Sequence, residues 1–486
     1  MKGSVSEHPA VFDSEWKVVN SNTSMVRPLR GVELMIQSSE RFCNGNFQLT
    51  LAASLETTLT CEQLTRRHQA AWWRTRHMRP VVGVVFGLDY AAFEVHGTVD
   101  AAKQWATQTC RVASNTTVAD VALARSRQPL ESPTMTLVVN PIRGARGCVL
   151  NVSHTLISQE GFRILQEFLT QLARPDSELG INTVFSPETV LDVQLRLPQS
   201  LSHAYSLLHQ PTPQELRDAF QIYQRVQMHW ARSTIGIPLH RDWQKRPSHI
   251  YTKVVQFEPY EASAALKCLK KWGITLTTAF FACITSAIAN TYDAGNEDGA
   301  HLLYSANARR WLPTNGHGVL VTMGILPAGM WIDASKVDIR AKDQPGLMRL
   351  ARAIEQAQQE DLVSPHIIAV YDQIAPALAK AIGEQPQSTS SPIGRPTLTS
   401  QGYFDDDVNR LPGPGRDQIR MTDISSGGRN TDPNVCFALY SFRDELRCNL
   451  MFDGRFFVQD EVMQLAYTVS GLFRRLTTEE LEFPKL

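Results

Sequence analysis

The chain contains 486 residues, of which 43% are hydrophobic and 20% charged, and its formal net charge at pH 7 is zero. This composition is typical of a globular protein, and the even charge balance argues against binding to nucleic acid or to an anionic membrane surface. No apolar run approaches the roughly 18 residues that a membrane span requires, and the N-terminal segment MKGSVSEHPAVFDSEW lacks the apolar core of a secretory signal. We therefore expect a cytoplasmic protein of two or three domains.

The eight cysteines are dispersed along the chain and include no CxxC pair. Most of them lie in apolar or helical segments, which favours buried thiols in a reducing compartment. The acidic run Asp405-Asp406-Asp407 has no further candidate ligands at a metal-binding spacing, so we interpret it as a solvated loop. The sequence therefore predicts no metal site.

The first part of the chain alternates between strand and helix patterns. Residues 1–40 are interpreted as a lead-in arm with one edge strand, and the alternating segment FQLTL at Phe47 to Leu51 predicts the next strand. Hydrophobic periodicity then predicts helices and strands in alternation. The helices cover Thr60 to Arg76 and Ala101 to Ala113, and the strands cover Met78 to Phe86 and Ala92 to Gly97.

A hairpin, a histidine and a helix follow, and they form the segment around which the rest of the chain is organised. The apolar runs at 137–140 and 147–153 flank a turn, which predicts a β-hairpin. His154 follows the second arm directly, and an amphipathic pattern with Ser158 as a candidate N-cap predicts the helix. Ligands tend to bind at this end of a strand in α/β proteins. The same position also suits a surface or core histidine that has no catalytic function.

The second half repeats the alternation after a proline-punctuated connector. The connector carries a helix predicted over Pro213 to Ser233. The predicted helices of the second half cover Glu261 to Trp272, Thr277 to Tyr292, Asp343 to Glu360, Ile367 to Ile382 and Asp460 to Arg474. The predicted strands cover Tyr251 to Phe257, His301 to Asn307, Leu320 to Leu326, Leu398 to Tyr403, Val435 to Arg443 and Leu446 to Phe452. The last two strands form a hairpin in this interpretation, and Gly383 to Pro396 is a low-order linker.

The order of these segments from about residue 40 to 480 resembles the CoA-dependent acyltransferase superfamily. That superfamily includes chloramphenicol acetyltransferase, BAHD acyltransferases, condensation domains of peptide synthetases and fungal trichothecene acetyltransferases. The strand, His154, Glu160-Gly161 and the Ile-Leu helix resemble its HxxxDG region. The stretch NARRWLP from Asn307 resembles its NxRxxLxP stretch, and CFALYSFRDELRCNLMFDGRFFVQDEVMQLAYTVSGLFRRL resembles its C-terminal hairpin and helix. The chain most resembles the trichothecene-type O-acetyltransferases.

The spacing of the histidine motif departs from the superfamily pattern. The superfamily has three residues between the histidine and the aspartate, whereas five separate His154 from Glu160. Without a gap, the aspartate position is occupied by Ser158. Either the loop is two residues longer and Glu160 serves as the acid, or the acid is absent.

The resemblance implies an α/β fold of mixed sheets, in which two chloramphenicol-acetyltransferase-like halves form a pseudo-dimer around a tunnel. Residues 1–195 would form the half that carries the histidine loop, 196–245 the connector and 246–486 the second half. Because the two halves already supply both sides of the site, we expect a monomer.

The resemblance also implies roles for individual residues. His154 would be the general base, and Glu160 would pair with Arg309 to shape the loop, supported by Asn307. Alternatively, Arg309 faces solvent and Glu160 is a first-turn helix carboxylate favoured by the helix dipole. Gly161 would permit close approach of substrate, or simply begin the helix.

The tetrahedral oxyanion also needs a hydrogen-bond donor. Thr399, Ser425 and Ser426 are candidate donors because they fall in the superfamily's second-half loops. The alternative interpretation is that they are ordinary loop hydroxyls.

The implied activity is transfer of an acyl group, most simply acetyl from acetyl-CoA, to a hydroxyl of a small hydrophobic secondary metabolite. No permanently bound cofactor is expected. Two alternatives stay open. The altered loop is also compatible with a repurposed enzyme that condenses a thioester held by an acyl-carrier protein, or that carries out cyclisation or elimination. The second alternative is a binding protein that keeps the fold without turnover.

Overall fold

A computed structural model describes residues 14–19, 23–142, 144–157, 160–175, 185–292, 295, 297–312, 325–361, 364–385, 391–404 and 419–477. Its helices are α1 (Val32–Phe42), α2 (Cys61–Met78), α3 (Val99–Thr109), α4 (Val118–Ser126), α5 (Glu160–Ala173), α6 (Val190–Gln194), α7 (Leu201–Leu208), α8 (Pro213–His229), α9 (Pro259–Trp272), α10 (Leu276–Tyr292), α11 (Gln344–Asp361), α12 (Ile367–Glu384) and α13 (Gln459–Thr477). Its strands are β1 (Lys17–Val19), β2 (Ser24–Pro28), β3 (Leu49–Thr57), β4 (Val84–Phe86), β5 (Tyr90–Glu94), β6 (Cys110–Ser114), β7 (Thr134–Asn140), β8 (Ala145–Val152), β9 (Ile237–Pro238), β10 (Ile250–Phe257), β11 (Gly299–Asn307), β12 (Ile325–Asp333), β13 (Ile393–Gly394), β14 (Pro396–Phe404), β15 (Ile419–Gly428), β16 (Val435–Phe442) and β17 (Glu445–Asp453).

Two large mixed sheets form the centre of the fold. One has the strand order β15-β3-β8-β7-β6, and the other has the order β10-β17-β16-β14-β11-β12. Every residue of β7 is buried, as expected for an inner strand covered on both faces. Helices pack on each sheet, and two large hydrophobic clusters follow the same division, one around β8 and α5 and the other around α10 and α13.

Local sequence signals place several helix ends where they were predicted. Thr60 and Gln63 form a capping box at the start of α2. Helix α9 begins with a proline and ends at Gly273, whose φ of 64° is a left-handed conformation that glycine adopts without strain. Within the described ranges, no single helix has the length and apolar character needed to cross a membrane; α9 and α10, bent by 101° between them, meet that measure only when taken together.

Strand β15 joins the sheet of the first half although it comes from the second half of the sequence. It pairs antiparallel with β3 from Ile419 opposite Thr57 to Gly428 opposite Leu49. The proposed division into 1–195, 196–245 and 246–486 does not include this crossing, and the division stays a prediction. The crossing brings strand residues from both halves to the same end of β8.

Several sequence predictions were wrong at the level of secondary structure. Of the strand predicted over Met78 to Phe86 only Val84–Phe86 is a strand, because Met78 ends α2 and Pro80–Gly83 form a 3-10 helix. Residues 32–42 of the presumed lead-in arm form helix α1. The helix predicted over Ala101 to Ala113 ends at Thr109, because the branched and apolar residues from Cys110 form strand β6 beside β7. The presumed loop around Ser425 and Ser426 is strand β15. Part of the strand predicted over Leu320 to Leu326 lies outside the described residues, and β12 begins at Ile325.

Candidate active site

His154 lies where β8 leaves the five-stranded sheet. Its Nδ1 is 2.7 Å from the backbone oxygen of Ile157. A carbonyl oxygen only accepts hydrogen bonds, so Nδ1 carries a hydrogen and donates a hydrogen bond to the Ile157 carbonyl. In the neutral ring Nε2 is therefore unprotonated and able to accept a proton. The side chain is half-buried.

Helix α1 contacts the loop that carries His154 through hydrogen bonds to Glu40. The His154 backbone N–H donates to Glu40 Oε1 at 2.7 Å, and the Ser153 hydroxyl donates to the same oxygen at 2.9 Å. Burial raises the pKa of the Glu40 carboxyl to about 8, although these hydrogen bonds act to lower it. Sequence reasoning missed Glu40. The available signal was the helical spacing of Val32, Met35 and Ile36 in the same segment.

The ion pair expected from the sequence is present in the structure. Arg309 Nη2 lies 2.6 Å from Glu160 Oε1, with 26% of the arginine side chain and 36% of the glutamate side chain exposed. Asn307 ends β11 and accepts a hydrogen bond from the Arg309 backbone N–H at 3.1 Å. The pair therefore joins the start of α5 to the end of β11, beside the His154 loop. Its role in shaping that loop stays a prediction, and Ser158 lies outside the described residues.

Gly161 is buried in the first turn of α5. A Cβ atom at this position would lie 2.1 Å from Leu51 Cδ1. The missing side chain thus lets α5 pack closely on β3. This contact with Leu51 accounts for the glycine without a contact to substrate.

The three candidate oxyanion donors are separated by the structure. Thr399 on β14 and Ser426 on β15 line the same cavity as His154. Ser425 lines only a different cavity, together with residues of α4 and β10, and Ser426 borders that cavity as well. Successive residues of a strand point to opposite faces, so Ser425 and Ser426 cannot both face His154. We therefore withdraw Ser425 as a donor and retain Ser426 and Thr399.

Two cavities meet at His154. The first has a volume of about 130 Å³ and the second about 400 Å³. The residues that line both are Phe47, His154, Ser305, Thr397 and Asp432. The larger cavity is mostly apolar and is bounded by α1, α8 and α12. Two molecules could therefore approach one imidazole from two cavities, while a continuous tunnel stays a prediction.

The described part of the chain holds no group of three or more His, Cys, Asp or Glu side chains arranged to bind a metal ion. The polar side chains that line the smaller cavity include His154, Thr399, Ser426 and Asp432.

Comparison with known proteins gives a consistent result at the level of fold. No protein-family model matches the chain. It is 27% identical to the acyl-CoA-dependent acyltransferase MAC2 of Pseudozyma antarctica, over 92% of this chain and 93% of that protein. It is 21% identical to the acyl-CoA-dependent acyltransferase MAC1 of Mycosarcoma maydis, over 93% of this chain and 87% of that protein. The TRI3 trichothecene 15-O-acetyltransferase from Fusarium sporotrichioides is similar with a TM-score of 0.77 at 16% identity, covering 95% of this chain and 97% of that chain.

The chain has the CoA-dependent acyltransferase fold. The first condensation domain of the calcium-dependent antibiotic synthetase is also similar, with a TM-score of 0.60 at 11% identity over 94% of this chain and 98% of that chain. The resemblance drawn from the sequence and the predicted two-lobed α/β fold are thereby confirmed. Fold similarity at such identities does not by itself establish a substrate, so the activity is argued first from the site.

Proposed function

We propose that this protein is an acyltransferase that moves an acyl group, most simply acetyl, from a CoA thioester to a hydroxyl of a small hydrophobic metabolite. The observation that carries the proposal is the hydrogen bond from His154 Nδ1 to the Ile157 carbonyl, which leaves a basic Nε2 at the meeting point of two cavities. The similarity to acyl-CoA-dependent acyltransferases supports the donor, and the similarity to a trichothecene O-acetyltransferase supports the acceptor class.

The proposed reaction uses His154 twice. Nε2 removes the proton of the acceptor hydroxyl as that oxygen attacks the thioester carbonyl carbon, and the carbonyl electrons move onto its oxygen. The tetrahedral intermediate then collapses, the C–S bond breaks, and the imidazolium returns the proton to the leaving thiolate. No acyl-enzyme is needed, because two cavities hold the reactants at one base and proximity supplies much of the barrier reduction.

Ser426 and Thr399 are the proposed oxyanion donors. Ser426 Oγ accepts a hydrogen bond from Gln401 Nε2 at 2.9 Å, which directs its lone pairs towards the amide and leaves its own hydrogen to donate. Thr399, on β14 of the six-stranded sheet, lines the same cavity. Removing one such donor typically costs about 10²- to 10³-fold in kcat when it contacts the oxyanion.

The proposed function is tested by measuring free thiol released from acetyl-CoA with a panel of hydroxylated terpenoids and polyketides. Release that depends on an alcohol supports the proposal. Hydrolysis at the same rate with and without alcohol contradicts it. The condensation-domain similarity supports one second candidate, in which the thioester is bound to an acyl-carrier protein. That candidate predicts turnover with a pantetheinylated carrier protein and no turnover with free acyl-CoA.

The pH dependence of the reaction is expected to follow His154. Burial lowers the pKa of its imidazole below the ordinary value, with the Ile157 carbonyl and the Glu160 charge acting in the opposite direction. A lowered pKa keeps the base unprotonated through neutral pH, so kcat/KM should stay constant there and fall only below about pH 6.5. A pH–rate profile between pH 4.5 and 9 measures the acid limb. A fall of kcat/KM with its midpoint above pH 7 would contradict the assignment of this limb to His154.

Filling the larger cavity is expected to weaken binding of one substrate selectively. Val226 lies on α8 and lines this cavity. Val226→Trp should raise the KM of whichever substrate enters it by about tenfold or more, because poor fit in an apolar pocket costs about 1–3 kcal/mol. The KM of the other substrate should change little. The matched control is Phe220→Trp, an exposed position on the same helix. Equal changes in both KM values would show that the cavity does not belong to one substrate.

A further inference from the structure

The ion pair of Glu160 and Arg309 leaves the support of the His154 loop incomplete. Both side chains are partly exposed, and such pairs contribute little because water screens them and their side chains lose entropy. Glu160 belongs to α5, which begins after the loop, and Arg309 follows β11. The hydrogen bonds to the exit of β8 itself come from a different group.

Helix α1 supplies that group from within the protein. Glu40 has a fractional exposure of 7%. Its Oε1 accepts from both the Ser153 hydroxyl and the His154 backbone N–H. Ser153 Oγ in turn accepts from the Thr155 backbone N–H at 3.0 Å. One carboxyl oxygen thus organises three consecutive residues of the loop.

A second side chain of α1 acts on the same loop. Gln37, one turn before Glu40, accepts a hydrogen bond from the Thr155 hydroxyl at 3.2 Å. The loop therefore rests on two buried acceptors of one helix. A buried N–H and a buried hydroxyl that lose their acceptor must find other partners, and the loop can do so only by moving.

We propose that Glu40 is the positioning residue that holds the His154 loop in its productive geometry. The acid that follows the loop, Glu160, is partly exposed, whereas Glu40 is buried. This inference rests on the proposed function, because the productive geometry is that of His154 as a base. Glu40 acts through His154 and the Ser153 hydroxyl and does not line either cavity at His154.

The protonation state of Glu40 selects the conservative variant. Burial raises the pKa of this carboxyl to about 8, so it is mostly neutral at pH 7. Glutamine has the same shape as a protonated glutamate and keeps one acceptor oxygen. Methionine has a similar size and no comparable acceptor, so it removes the hydrogen bonds while filling the space.

The experiment compares Glu40→Gln and Glu40→Met with wild type by steady-state kinetics. Glu40→Met should lower kcat about 10²-fold with KM changed less than threefold, since a displacement of about 1 Å at a reacting group costs about that factor. Glu40→Gln should retain kcat within about fivefold. Glu160→Gln should lower kcat less than tenfold. Ser38→Ala, a buried position on the same helix, is the control and should match wild type.

Amide hydrogen exchange separates this inference from the proposed function. Exchange in the segment 153–157 should be faster in Glu40→Met than in wild type and unchanged in Glu40→Gln. If wild type transfers no acyl group to any alcohol, the proposed function fails, and the exchange rates alone decide whether Glu40 holds the loop. Unchanged exchange in Glu40→Met would then overturn the inference.

A Glu40→Met variant that folds and keeps its activity would also overturn the inference. Wild-type kcat in Glu40→Met, or equal losses in Glu40→Gln and Glu40→Met, would show that the acceptor oxygen does not position His154. Should Glu40→Met not fold, Glu40→Asp keeps the carboxyl and withdraws it by one methylene. It should lower kcat at least tenfold with little change in KM, and wild-type kcat in that variant would contradict the proposal.

Discussion

Replacing His154 with alanine is expected to lower the alcohol-dependent release of CoA by about 10²- to 10⁴-fold, the usual contribution of a general base. The imidazole that receives the proton of the acceptor hydroxyl in the proposed reaction would then be absent. The Nδ1 hydrogen bond to Ile157 fixes the ring tautomer that makes Nε2 the base, so the loss should fall on kcat. KM should change little, because the walls of both cavities remain.

The measurement is steady-state thiol release at pH 7.5, with folding checked by circular dichroism. His240→Ala is the matched control, since His240 belongs to neither cavity at His154. Below pH 6 the difference between wild type and His154→Ala should narrow, because the wild-type imidazole becomes protonated. Release that survives the substitution at neutral pH would move the chemistry away from His154.

The second large effect is expected on stability. Arg27→Met should reduce the free energy of unfolding by about 3–5 kcal/mol, the usual consequence of removing one partner of a buried ion pair. Arg27 and Glu33 are 1% and 2% exposed. They form two hydrogen bonds, Nη1 to Oε2 at 2.8 Å and Nη2 to Oε1 at 2.9 Å. The substitution would leave the Glu33 carboxylate buried without this partner.

Urea denaturation of Arg27→Met measures the loss, and two further variants test its cause. Arg246→Ala removes the exposed pair with Asp242, whose side chains are 42% and 58% exposed, and should leave the free energy of unfolding close to that of wild type, because water screens an exposed pair. Adding Glu33→Leu to Arg27→Met should recover part of the stability, because the uncompensated charge is removed. A loss below 1 kcal/mol in Arg27→Met would show that this ion pair does not anchor α1.

The segment from β8 to α5 was predictable from sequence because its signals are local. An apolar run predicts a strand, the spacing of Phe162, Leu165 and Leu169 predicts a helix, and His154 stands between them. The C-terminal hairpin of β16 and β17 was predictable for the same reason. The pairing of Glu160 with Arg309 was inferred only through the superfamily resemblance, because the two residues are distant in sequence.

Helix α1 was missed because its buried side includes polar residues. Glu33, Gln37, Ser38, Ser39 and Glu40 are all buried. Glu33 pairs with Arg27, Gln37 and Glu40 accept hydrogen bonds from the His154 loop, and Ser39 accepts one from Asn46, where a typical helix would bury apolar side chains against a core. Hydrophobic periodicity detects helices by their apolar face, and it gives a weak signal when polar side chains are buried through hydrogen bonds. The residue that we infer to position His154 was hidden for this reason.

Strand β15 was missed for a different reason. Its sequence IRMTDISSGG ends in small polar residues and glycines, a composition typical of loops. The strand is stabilised by pairing with β3, more than 360 residues earlier in the chain, and such non-local pairing leaves no local signal. The separation of Ser425 from Ser426 follows directly from this strand and could not be predicted from a loop.

The proposed reaction passes an acyl group from CoA to a hydroxyl at His154. It is tested most directly by incubating wild type with ¹³C-acetyl-CoA and hydroxylated metabolites, then measuring labelled ester and free CoA together by mass spectrometry. The proposed function predicts labelled ester and CoA in equal amounts, with both lost in His154→Ala. CoA without ester, or ester that requires a carrier protein, would contradict it.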